Sequence, residues 1–158
     1  MSGIDSTWTG HGSTLKKFDQ QLFDADDPAK HLIVDWLVAR GNRAWVNPDQ
    51  FGIDVLCENS RGSFGVDVEV KHNWVSGRFP FDVVHWAERK RKFCGPDSWF
   101  VMLSSDRGQA LVASGGDVGA SPVVVKDTRL TQGESFMAVP LSKCFRVELR
   151  HPFNVASE

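Results

Sequence analysis

The sequence predicts an α/β domain, with a central mixed β-sheet flanked by helices and a small C-terminal β extension. Three observations carry this. Residues 53–59 and 64–71 alternate apolar and polar side chains around a turn-forming Ser60-Arg61-Gly62-Ser63, the pattern of an antiparallel hairpin. A helix-spaced apolar stripe, Leu32, Ile33, Trp36 and Leu37, precedes it. Trp99-Phe100-Val101-Met102-Leu103 is an unbroken apolar run, the mark of a strand buried on both faces.

With 158 residues, one domain is expected over 14–158, large enough to bury a proper core. Residues 1–13, rich in Gly, Ser and Thr, are expected to be a flexible N-terminal segment. No apolar run reaches the length of a membrane span. A net charge of -2 argues against a polybasic binder, so contact with nucleic acid would have to come from a local basic face. Cys57, Cys94 and Cys144 lie far apart without zinc-site spacing, which points to buried thiols in a reducing cytoplasm.

Taken in order, Leu15, Phe18, Leu22 and Phe23 recur at helical spacing. Asp26-Asp27-Pro28 offers an acid to cap a helix and a proline near its first turn, and Gly41 is a natural stop. Arg43–Asn47 reads as a short strand ended by Pro48. In the hairpin, a four-residue loop at 60–63 pairs Asn59 with Phe64. That register sets Ile53 opposite Val70, Val55 opposite Val68 and Cys57 opposite Val66 on one apolar face. It also sets Asp54 directly opposite Glu69, and a one-residue slip would divide the apolar side chains between faces. Pro80 is expected to open a second helix that runs to about Phe93, before Gly95 and Pro96. Its apolar side would carry Val83, Trp86, Ala87 and Phe93, with Lys90 also facing that way. His85, Glu88, Arg89 and Lys92 would lie on the other side. Residues 109–113 should pair beside the central strand, and Gly115-Gly116 and Gly119 mark a loop. Segments 123–125, 136–139 and 145–149 suggest peripheral strands, with a helical turn at 141–144.

Opposed carboxylates repel one another. Asp67 adds a third charge, and Lys71 is a single cation. The usual remedy is a hard divalent ion bound by oxygens. Gly52-Ile53-Asp54 followed by Asp67-Val68-Glu69-Val70-Lys71 resembles the PD-(D/E)xK nuclease superfamily, in which an acid precedes an (E/D)-x-K strand. The resemblance implies a restriction-endonuclease-like core and a Mg2+-dependent endonuclease that hydrolyses phosphodiester bonds, in DNA more readily than RNA, with Mn2+ as a substitute. By position, Asp54, Glu69 and the Val70 backbone carbonyl would hold the metal, and Lys71 would orient or deprotonate the attacking water. Pro48-Asp49 supplies a literal PD, which keeps Asp49 as a second candidate for the first acid. Asp35 is the nearest match to an additional acid that many members carry on the preceding helix.

The basic run Arg89-Lys90-Arg91-Lys92 falls where the superfamily supplies phosphate contacts, with Arg89 and Lys92 the preferred candidates. His72 and His85 are further candidates for substrate contact. Cutting both duplex strands would imply a homodimer, and a phage or mobile-element origin suits a small stand-alone nuclease. Two other readings stay open. One is a catalytically inactive nucleic-acid-binding or regulatory protein on a nuclease-like fold. The other is a metal-free protein-interaction domain whose acidic hairpin and basic helix are complementary surfaces.

Overall fold

A computed structural model describes residues 28–128 and 132–149. The segment 1–13, the 15–23 stripe and the Asp26-Asp27 cap lie outside them. Helix α1 spans 28–39. It buries Ala29, Ile33 and Leu37, one side of the helix at a spacing of four. Gly41, at φ 92, ends it in a conformation that glycine adopts without strain. Nine strands follow: β1 (Arg43–Val46), β2 (Val55–Asn59), β3 (Gly62–Lys71), β4 (Val83–Ala87), β5 (Ser98–Ser104), β6 (Gln109–Ser114), β7 (Val123–Lys126), β8 (Glu134–Pro140) and β9 (Phe145–Glu148). A 3-10 helix occupies Glu88–Phe93 and a second one Leu141–Lys143, and a short helix α2 spans Gly115–Gly119.

Six strands form a mixed sheet in the order β1-β2-β3-β5-β6-β9, in which β3 and β5 run parallel and the other pairs antiparallel. The remaining three form a second, antiparallel sheet, β4-β8-β7. The fold is therefore α/β with few helices. Strand alternation gives the large sheet two apolar faces. One carries Val55, Cys57, Val66, Val68, Val70, Val101 and Leu103 against α1. The other carries Phe100, Met102, Leu111 and Ala113 against Trp74, Val84, Trp86, Met137 and Val139. The core thus lies on both sides of one sheet, under a helix on one side and a second sheet on the other. Among the described residues, no helix is long and apolar enough to cross a membrane.

Three expectations need correction. The helix expected over 80–93 is a strand followed by a 3-10 helix. Val83, Trp86 and Ala87 fit helical spacing, but the fully buried Val84 and Trp86 alternate with half-buried Val83 and His85, a period of two. Pairing with β8 overrides the local pattern. Helices consequently do not flank both faces, because β7 and β8 of the expected C-terminal extension cover one of them. The hairpin closes on Ser60-Arg61 alone, with Asn59 opposite Gly62 and Val55 opposite Val66. Gly62 sits at φ 138, which a residue with a Cβ rarely adopts, and so allows the strand to start there. The register is two residues from the expected one. A shift of two preserves the faces, but Asp54 now comes level with Asp67 rather than Glu69. Gly115–Gly119, expected as a loop, is helical and capped by Ser114 Oγ, which accepts from the Asp117 N–H at 3.1 Å.

Candidate active site

The strand β3 carries the site. Asp67, Glu69 and Lys71 share the face turned toward the second sheet, and the apolar Val66, Val68 and Val70 face α1. Asp54 enters from the side. The chain before β2 peels away from β3, where Asn47 holds it through the Asp54 carbonyl at 2.9 Å and the Ile53 carbonyl at 2.9 Å. Beyond Val55 the β2 ladder therefore ends. The Val68 N–H, which points to that side, donates instead to Asp54 Oδ2 at 2.8 Å. A side chain here stands in for a lost ladder bond. By the same alternation the Val70 carbonyl points to the side where Asp54 lies.

The charges gather around one ammonium. Lys90, from the 3-10 helix after β4, places Nζ 3.1 Å from both carboxylate oxygens of Asp67 and 3.3 Å from Glu69 Oε1. Lys30 on α1 reaches Asp54 Oδ1 at 3.4 Å. Asp67 is 1% exposed. Burial raises its pKa, Glu69 and Asp54 add to the rise, and Lys90 only partly opposes it, leaving the carboxyl at about 7. Lys90 feels burial in the opposite sense, but Glu69, Asp67 and Asp54 together hold its pKa above the ordinary lysine value. It stays protonated. Asp67 and Glu69 thus share the Lys90 ammonium, while Asp54 is paired with Lys30.

Beside them lies a basic group. Lys71 Nζ sits 5.4 Å from the ring centre of Phe81, and burial, followed by the charge of Lys126, lowers its pKa. His85 on β4 lies with Nδ1 3.5 Å from Lys126 Nζ, and burial, Lys126 and Lys71 lower its pKa as well. No protein-family model matches the sequence, and no curated protein matches it either. The functional reading therefore rests on these side chains.

Of the expected residues, Asp54 and Glu69 both belong to the cluster whose charges act on Lys90. Lys71 adjoins it. Asp49 instead accepts from the Phe51 N–H in the turn before β2, and Asp35 is exposed on α1. Arg89, Lys92 and His72 are exposed, with Lys92 Nζ 5.3 Å from the Phe93 ring centre. Two members escaped the sequence reading. Lys90 was placed on the apolar side of its segment, and that placement carried the missed signal, since an inward-facing lysine needs buried anions. Lys126 lies on β7, and only the two-sheet fold brings it to His85.

The oxygen donors suit a hard divalent ion in kind: three carboxylates and a carbonyl at one strand edge. Two of the carboxylates already converge on a cation at 3.1–3.3 Å, the Lys90 ammonium. Among the described residues no group of three or more His, Cys, Asp or Glu side chains is in place to hold a metal without adjustment. Binding would therefore require Lys90 to withdraw.

Asp67 makes the stability of the fold pH-dependent. Its folded pKa of about 7 lies above the ordinary carboxylate value of 3.8, so the folded protein binds this proton more tightly than the unfolded chain. The stabilisation is complete below pH about 4 and is lost as pH rises through about 7. Asp67→Asn removes the titration. The Tm of the variant relative to wild type should therefore rise across that window, as measured by calorimetry in a pH series. A difference that does not vary with pH would exclude Asp67 as the titrating group.

Proposed function

We propose that the protein is a Mg2+-dependent nuclease that hydrolyses phosphodiester bonds, with DNA as the preferred substrate and Mn2+ able to substitute. The observation that carries the reading is the convergence of Asp67 and Glu69 on Lys90 beside the Asp54–Lys30 pair, with half-buried Lys71 two residues beyond Glu69 on the same strand face. The order α1, β1, β2, β3, crossover, β5, with β5 parallel to β3, supports a restriction-endonuclease-like core. Asp54, Glu69 and the Val70 carbonyl would hold the ion, and Asp67 would add charge from beneath. When bound, the ion supplies positive charge against the phosphate and lowers the pKa of water. Lys71, whose pKa is already lowered by burial and by Lys126, is placed to orient the attacking water and accept its proton. An intracellular, reducing setting belongs to the same proposal and is supported by the free thiols of Cys57, Cys94 and Cys144. A homodimer would provide a second site for the opposite strand.

A metal titration tests the reading. An ion that binds only the folded state should raise Tm by mass action, by about 2.7 kcal/mol of stability at a hundredfold excess over Kd. Asp54→Asn should blunt the rise. If Mn2+ shifts wild type and Asp54→Asn equally, the ion does not bind at this cluster. The alternative, a catalytically inactive nucleic-acid-binding protein, is favoured by one observation: Lys90 already neutralises the acids as a metal would. It predicts nucleic-acid binding with no metal response.

The exposed Arg89 and Lys92 are proposed phosphate contacts at the rim. Replacing both with Ala should weaken duplex binding and flatten its salt dependence by roughly 0.9 in log–log slope for each lost contact. A binding series with the inactive Glu69→Gln background measures this, and an unchanged slope would leave the 3-10 helix as scaffold.

A further inference from the structure

We propose that Lys126 and His85, both from the second sheet, complete with Lys71 an anion subsite that holds one phosphate of a phosphodiester substrate beside the carboxylate cluster. The identity of the anion rests on the nuclease reading, whereas the subsite rests on its own geometry. Three strands deliver the three groups: Lys71 at the end of β3, His85 in the middle of β4 and Lys126 at the end of β7. Lys126 Nζ stands 3.5 Å from His85 Nδ1. Aromatic rings wall the group, with Phe81 5.4 Å from Lys71 Nζ and Phe136 5.9 Å from Lys126 Nζ. Phe136 also packs edge-on against the His85 ring at 5.7 Å.

Each cation opposes protonation of its neighbours: Lys126 acts on both Lys71 and His85, and Lys71 acts on His85. Glu69 is engaged with Lys90 at 3.3 Å, and Glu134 lies opposite Lys126 in the β7–β8 pair. A tetrahedral anion with several acceptor oxygens can receive hydrogen bonds from all three side chains at once. Its place suits a nucleic-acid phosphate. Lys71 follows Glu69 by two residues on one face, roughly 7 Å along the strand, so an anion held here would abut the carboxylates.

The test uses the full chain. Inorganic phosphate is titrated at constant ionic strength, with chloride as the control, while the His85 imidazole signals are followed by NMR. Wild type should show a saturable shift, weakened about tenfold in Lys126→Gln by loss of a charge-assisted hydrogen bond. Lys143→Gln, another exposed lysine, should leave it unchanged. Lys126 is exposed, so Tm should stay at the wild-type value and exclude unfolding as the cause. With a short duplex as substrate, Lys126→Gln should raise KM by a similar factor. Phosphate binding that Lys126→Gln weakens, in a protein that cleaves nothing with Mg2+, would keep the subsite and refute the nuclease. Cleavage with Mg2+ in which Lys126→Gln alters neither phosphate binding nor KM would overturn the subsite and leave the nuclease reading intact.

Discussion

Glu69→Gln and Lys71→Ala should each reduce Mg2+-dependent phosphodiester cleavage by on the order of 10^2–10^3-fold or more, with Tm close to that of wild type. The two substitutions remove different things. Glu69→Gln keeps the shape of the side chain but withdraws a charge that pairs with Lys90 and that the proposed metal would need. Its side chain is 31% exposed, so the core is untouched. Lys71→Ala removes the group proposed to act beside the reacting phosphate, along with its packing on Phe81. If the nuclease reading is right, Glu69→Gln should also lose the Mn2+-dependent rise in Tm, and Lys71→Ala should keep it. Single-turnover cleavage and calorimetry on the same preparations separate these effects. Undiminished cleavage by Glu69→Gln would refute the assignment.

Lys90→Met should produce the largest change in stability. Removing one partner of a buried ion cluster leaves the others unpaired, at a cost of about 3–5 kcal/mol, or a fall in Tm of roughly 10 °C or more. The loss should be greater at pH 8 than at pH 5. Without the ammonium, the Asp67 pKa climbs further, and protonation in acid removes the unpaired charge. Adding Asp67→Asn to Lys90→Met should recover much of the stability, and Mn2+ should stabilise the single variant more than wild type, because a foreign cation replaces the missing one. Denaturant unfolding of the four proteins of the cycle measures the coupling. A Lys90→Met protein as stable as wild type would show that the cluster is hydrated and that Lys90 does not neutralise it.

The parts of the fold legible in the sequence were those set by local pattern. Strict alternation over 64–71 identified β3, and the apolar run 99–103 identified β5, because burial on one or both faces leaves such signatures. The hairpin register was read to the correct parity but not the correct pairing, since hydrophobicity fixes faces while turn chemistry at Gly62 fixes the offset. Segment 83–87 was misread because its partner β8 lies far along the chain, and Val83, Trp86 and Ala87 satisfy both periods. That Asp54, Asp67 and Glu69 come together was legible in the residue order. The electrostatics of the cluster were not, because the ammonium between the acids comes from a segment whose position depends on that misread strand. Lys126 left no local trace, being one lysine at the end of a short strand.

The pairing of β4 with β8 also sets an order of events on the ribosome. The hairpin bearing Asp54, Asp67 and Glu69 is complete by residue 71, whereas β4, which delivers Lys90, pairs with a strand that ends at Pro140. At roughly 5–20 residues per second, several seconds separate the two. Through that interval Asp67 and Glu69 face water and ambient cations rather than Lys90. Closure awaits a long-range contact of the kind that slows folding. On the proposed metal-binding reading, any ion captured by the nascent hairpin would have to be retained or expelled as β8 docks, and metal content would then depend on the cations present during synthesis as well as on those added afterwards.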